Sequence, residues 1–405
     1  MKKIFLCLFM AISLSVNLSA QPIQPGAEQF DQYLPLLAGK RVGLFANQTT
    51  VLSDKTHLVD ALLKKGITIT RIFSPEHGFR GTADAGEKVE SSVDPATGIN
   101  VVSLYGKNRK PSAADLAEID IMIFDIQDIG VRFYTFISSL EEFMETAVEA
   151  GKPLLVLDRP NPNGFYIDGP VLEKPYRSFV GMQTVPVVYG MTIGEYAKMI
   201  LGEKWLDSSL HAKLPAFQLT VIPCANYTHS SKYVLPVKPS PNLPDMSAIY
   251  WYASTCYFEG TVLSEGRGTD KPFQIFGHPE LPKHLYSFTP TPRDGARDPK
   301  LKNQLCYGWN ISGTSEQTLK ALDNKIQLKY LLEAYRLFPD KSKFFLGKPD
   351  AQPTQYFFNK LAGNADLMRQ IKAGATESEI RLSWQPALNR FKQIRKKYLL
   401  YEDFH

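Results

Sequence analysis

Residues 72 to 81 read Ile-Phe-Ser-Pro-Glu-His-Gly-Phe-Arg-Gly, an apolar run that ends in a carboxylate and an imidazole. Pro75 fixes one backbone angle and Gly78 admits a left-handed one, so Glu76 and His77 are expected on a rigid turn. A carboxyl held this way suits proton transfer, and a turn at the C-terminal end of a strand in an α/β sheet falls where ligands bind. The plain alternative is a helix cap at Glu76 with a structural histidine beside it.

Several strand–helix units must position this pair. Val42–Ala46, Ile67–Phe73, Asn100–Leu104, Ile119–Ile126, Leu154–Leu157 and Leu219–Ile222 read as buried strands. Helical periodicity falls between them at His57–Lys65, Ser112–Ala117, Tyr134–Ala150 and Thr192–Leu201. Parallel strands need crossover connections, so this alternation predicts an α/β fold: a largely parallel sheet with helices on both faces.

The expected strand ends are all polar. They carry Asn47 and Gln48; Glu76 and His77; Tyr105; Asp125, Gln127, Asp128 and Arg132; then Asp158 and Asn161. Amides, carboxylates, a guanidinium and a phenol suit hydroxyl and acetamido groups, each of which needs a partner in a fixed direction.

Other chemistries fit less well. Gly43-Leu44-Phe45-Ala46-Asn47-Gln48 lacks the glycine-rich turn of a dinucleotide site, and neither a P-loop nor a G-x-S-x-G elbow occurs. A metal hydrolase would have to assemble His77, Asp84, Asp125 and Asp128 without any short-spaced ligand motif, so no metal and no cofactor are expected.

The N-terminus has Lys2 and Lys3, an apolar run from Ile4 to Val16, and small residues up to Ala20. This reads as a cleavable signal peptide over 1–20, too short to span a membrane, which predicts a periplasmic or secreted protein. Its removal takes two lysines and no acid, so the net charge of +5 falls to +3, too mild to suggest a nucleic-acid partner. The three remaining cysteines allow at most one disulfide.

The proline-rich stretch 235–244 suggests a crossing between an α/β domain over 21–235 and a smaller α+β domain over 236–405. The second part contains Ser264-Glu265-Gly266-Arg267-Gly268-Thr269, where Arg267 is placed to grip a carboxylate. It also has helical patterns at Ile326–Leu337 and Trp384–Leu399, with Lys392–Lys397 read as a solvated helix face.

Taken together, Gly43–Thr49, Phe73–Gly81, Asp125–Thr135, Asp158–Pro162, Phe258–Thr261 and Ser264–Thr269 make the chain resemble the exo-β-N-acetylmuramidases of the NamZ/YbbC type. The resemblance implies a Rossmann-like domain facing a smaller C-terminal domain across a cleft. It also implies a secreted glycosidase that releases N-acetylmuramic acid from the non-reducing ends of peptidoglycan fragments, with Glu76 as the catalytic carboxylate.

Such cleavage needs an acid to protonate the departing oxygen, and Glu76 is assigned that role. Asp128 or Asp125 would orient the substrate's 2-acetamido group or activate water, with His77 supporting Glu76. Arg132 or Arg267 would read the lactyl carboxylate. Asn47, Gln48, Gln127, Tyr134, Asp158, Asn161 and Glu265 complete the expected sugar contacts. The rival from another class is a non-catalytic cell-wall sugar-binding protein; an amidase or esterase is disfavoured by the missing nucleophile motif.

Overall fold

The computed structural model describes residues 21–76, 78–79, 90–348 and 350–404. The signal-peptide expectation, His77 and Asp84 lie outside these residues. The first domain runs α1 (Phe30–Leu37), β1 (Arg41–Ala46), α2 (Leu58–Lys64), β2 (Thr68–Ser74), β3 (Ser92–Val93), β4 (Asn100–Ser103), α3 (Ala113–Leu116), β5 (Ile121–Asp125), α4 (Phe136–Ala150), β6 (Leu154–Leu157), α5 (Ile193–Gly202) and β7 (Leu219–Ile222).

Its seven-stranded sheet has the order β3-β4-β2-β1-β5-β6-β7. All pairs are parallel except the short antiparallel edge strand β3, and the other six keep the doubly wound order of a Rossmann-like sheet. Side-chain alternation sorts each strand between two cores. Leu44, Ile123 and Leu155 pack with Tyr33, Leu58 and Leu62 of α1 and α2. Phe45, Phe124 and Val156 face Phe143 and Tyr196 of α4 and α5. Burial on both faces explains why these strands read as continuous apolar runs.

The second domain follows through α6 (Met246–Thr255), the antiparallel sheet β8 (Ile275–His278), β9 (Tyr286–Phe288) and β10 (Cys306–Asn310), then α7 (Ser315–Leu322), α8 (Lys329–Leu337), α9 (Phe357–Ala362), α10 (Asp366–Lys372) and α11 (Glu377–Arg395). The α4/α5 core continues without a break into Trp251, Phe276, Leu331, Phe358 and Trp384. An apolar junction of this extent fixes the two domains relative to each other.

Three details depart from the sequence reading. All ten residues of α6 are buried, so the helix carries no amphipathic stripe to find. The last long helix begins at Glu377 rather than Trp384, started by a capping box between Thr376 and Glu379, and runs through Pro386. Arg395 is not on a solvated face: it is buried, donates to the carbonyl of Gly190 and pairs with Asp403. Among the described residues, Cys224, Cys256 and Cys306 are free thiols, and no helix is long and apolar enough to cross a membrane.

Candidate active site

Glu76 leaves β2 on the turn that the sequence suggests. The Gly78 amide donates to the Pro75 carbonyl at 3.1 Å, and Gly78 has φ +73°, a conformation that favours glycine. The parallel register pairs Ser74 of β2 with Ser103 of β4. Glu76 and Tyr105, each two residues further on, therefore emerge side by side, and the Tyr105 hydroxyl donates to Glu76 Oε1 at 2.8 Å.

The pair opens into a cleft of about 580 Å³ between the two domains. Aromatic walls come from Phe133, Tyr134, Phe179, Tyr252, Phe273 and Phe357, with Ser240 and Asn242 on the inter-domain segment. Flat apolar faces beside a few directed polar groups suit a sugar ring. Tyr134 donates to the Pro239 carbonyl at 2.7 Å, and Gln48 donates to the same carbonyl at 3.1 Å, which pins the proline-rich segment to the first domain.

The second domain supplies Glu259, Glu265, Arg267 and Lys300. Gly266, at φ +84°, lies so close to the Ile275 carbonyl that an added Cβ would stand 2.4 Å from its oxygen, so the loop can turn here only with glycine. Arg267 then reaches Glu259 at 2.5 Å and Glu265 at 3.5 Å, while Lys300 pairs with Glu265 at 2.9 Å. Burial, set against the attraction of Arg267, leaves the Glu259 carboxyl above its ordinary range, and the charges of Glu265 and Glu76 add to the rise. Burial also opposes ionisation of Glu265, but Lys300 and Arg267 outweigh it and hold that carboxyl low.

Of the expected site residues, the structure gathers Glu76, Tyr134, Glu265 and Arg267 in the cleft. It places the others elsewhere. Asp125 is fully buried and takes two parallel hydrogen bonds from Arg159, at 2.5 and 2.8 Å. Asn47 accepts from the Thr49 amide and hydroxyl, and Thr49 in turn accepts from the Gln127 amide. The Gln127 side chain donates to the carbonyls of Asp128 and Pro160. This network fills the crevice between the ends of β1 and β5, where a doubly wound sheet ordinarily receives a nucleotide.

Asp128 is buried beneath the cleft, where it accepts from Tyr189 and the Gly130 amide; burial pushes its carboxyl up to about 6. Asp158 caps α5 through the Gly194 amide and accepts from Thr192 and Tyr401, and burial raises it to about 6 as well. Asn161 donates to the Met191 carbonyl. Arg132 is fully buried and donates to the carbonyls of Pro170, Val185 and Leu361, so it anchors the second domain rather than facing the cleft.

Arg109, Glu259 and Lys300 line the cleft without being expected there from sequence, and Tyr105, one of the polar strand ends named above, joins them without having been given a sugar contact. Strand register gives a signal for Tyr105. Glu259 lies inside one of the motifs above, whereas Arg109 and Lys300 carry no local pattern.

The comparisons with known proteins agree with this architecture. The family models for the N-terminal and C-terminal parts of exo-β-N-acetylmuramidase NamZ match residues 42–247 and 250–401. The peptidoglycan β-N-acetylmuramidase NamZ of Bacillus subtilis is 38% identical over 392 residues, covering 91% of this chain and 89% of its own. Two crystal structures of DUF1343 family proteins from Bacteroides fragilis superpose with TM-scores of 0.83 and 0.74. They are 43% and 28% identical, cover 95% and 94% of this chain, and are themselves covered over 100% and 99% of their length. Two matched halves, a relative 38% identical over most of both chains and a shared fold lead to one conclusion: this chain belongs to the exo-β-N-acetylmuramidase NamZ family.

Proposed function

We propose that this protein is an exo-acting glycoside hydrolase that releases N-acetylmuramic acid from the non-reducing ends of peptidoglycan fragments. The observation that carries the reading is Glu76 on its fixed turn, held by Tyr105 and facing an aromatic cleft, in a chain of this family. Glu76 delivers a proton to the glycosidic oxygen as the bond to the anomeric carbon breaks, and water supplies the new hydroxyl.

Asp125 is held at both oxygens by Arg159, and Asp128 is buried outside the cleft lining with Oδ2 bound to Tyr189 and the Gly130 amide, so the assisting role passes to a carboxyl that faces the cleft. Glu259 is suited to it: it stands on the opposite domain, is positioned by Arg267, and is close enough for the Glu76 charge to raise its proton affinity. It would orient the acetamido group or activate water. With Lys2, Lys3 and the apolar run to Val16 read as a signal, the enzyme works in the periplasm or outside the cell. Turnover of a chromogenic β-N-acetylmuraminide by wild type, and its loss in Glu259→Gln by at least about tenfold, tests the pairing; an unchanged rate in the variant removes Glu259 from it.

A further inference from the structure

We propose that Arg109 is the residue that recognises the lactyl carboxylate of the terminal sugar and so sets the enzyme's specificity for muramic acid. This rests on the muramidase reading above and assigns one of its missing parts.

Among the described residues the cleft has three basic side chains, and two of them are already charge-paired. Arg267 sits between Glu259 and Glu265. Lys300 donates to the carbonyls of Phe258, Thr261 and Leu263 and pairs with Glu265. Arg109 makes no ion pair with any described residue, although Glu142 feels its charge from a distance. Its guanidinium lies 4.0 Å from the ring centre of Phe179, and its Nε is buried without a hydrogen-bond partner.

A stacked guanidinium is held in one plane with its edge free, the presentation that receives a carboxylate through two parallel hydrogen bonds. Arg109 is also on the right side of the cleft. It follows Tyr105 by four residues on the loop after β4, so its cation lies on the same wall as Glu76 and would meet the sugar that Glu76 cleaves. The lactyl ether on that sugar ring carries the anion that N-acetylglucosamine lacks.

The test compares two chromogenic β-muraminides, one with the free lactyl acid and one with the lactyl methyl ester, on wild type, Arg109→Ala and Arg109→Lys. Wild type is expected to prefer the acid. In Arg109→Ala the ratio of kcat/KM for acid over ester should fall on the order of a hundredfold, the scale for stripping one partner from a charged hydrogen-bonded pair. Arg109→Lys should restore part of the ratio. A fall in both activities by the same factor, leaving the ratio intact, would mark Arg109 as structural and overturn the assignment. If wild type cleaved neither compound, the muramidase reading itself would fail.

Discussion

The Tyr105 hydroxyl and Glu76 Oε1 stand 2.8 Å apart because two neighbouring parallel strands end in register. A bond set by the sheet itself holds the carboxyl in place before substrate arrives. Removing it with Tyr105→Phe should lower kcat about fivefold, the equivalent of one net hydrogen bond of about 1 kcal/mol, and leave thermal stability nearly unchanged. Steady-state rates and a melting curve on the same preparation check both halves.

The Asp125–Arg159 pair should behave in the opposite way. Both side chains are almost wholly buried, so Asp125→Ala leaves an uncompensated guanidinium and should cost about 3–5 kcal/mol of stability. Chemical denaturation measures the loss. A stable Asp125→Ala protein that has lost only turnover would return Asp125 to the catalytic machinery.

Glu141, which does not line the cleft, gives a pH signature. It lies on the buried face of α4, accepts from Gln183, and burial pushes its carboxyl up to about 8. Its unfolded value is near 4.5. Between these values the folded protein holds a proton that the unfolded chain releases, so this group's contribution is complete below 4.5 and is lost as pH rises through about 8. Stability should fall with pH across that window by up to roughly 1.4 kcal/mol per unit, and Glu141→Gln should flatten the slope. Denaturation midpoints at pH 5, 6, 7 and 8 (about one unit apart) read it directly.

The central strands were legible in the sequence because burial on both faces leaves unbroken apolar runs, as in Leu154–Leu157, and the partly exposed β4 and β7 were read from their short β-branched stretches. Helix α6 was not, since burial on every side erases the helical period. The site was legible in part. Pro75 and Gly78 declare a turn by their types, but polarity at a strand end does not say whether a side chain faces a ligand or its own neighbours. Asp125 and Arg159 turned out to satisfy each other, and so did Asn47 and Thr49. Arg132 sits in a motif yet serves carbonyls more than 35 residues away along the chain. Arg109 and Lys300 reach the cleft only through tertiary folding.

Catalysis should survive exhaustive dialysis against a strong chelator and need no added nucleotide. The chemistry assigned to Glu76 is proton transfer to a substrate that carries its own acetamide, and the end of β1 is packed with protein side chains. Activity lost on chelation and restored by a divalent ion would reopen a metal mechanism involving His77 and Asp84.

The most direct measurement is incubation of a disaccharide bearing N-acetylmuramic acid at its non-reducing end with wild type and with Glu76→Gln, followed by mass analysis of the products and a melting curve for each protein. Wild type should release free N-acetylmuramic acid, and a folded Glu76→Gln should do so at least about a hundredfold more slowly. An intact disaccharide after incubation with folded wild type, or equal rates from the two proteins, would contradict the account.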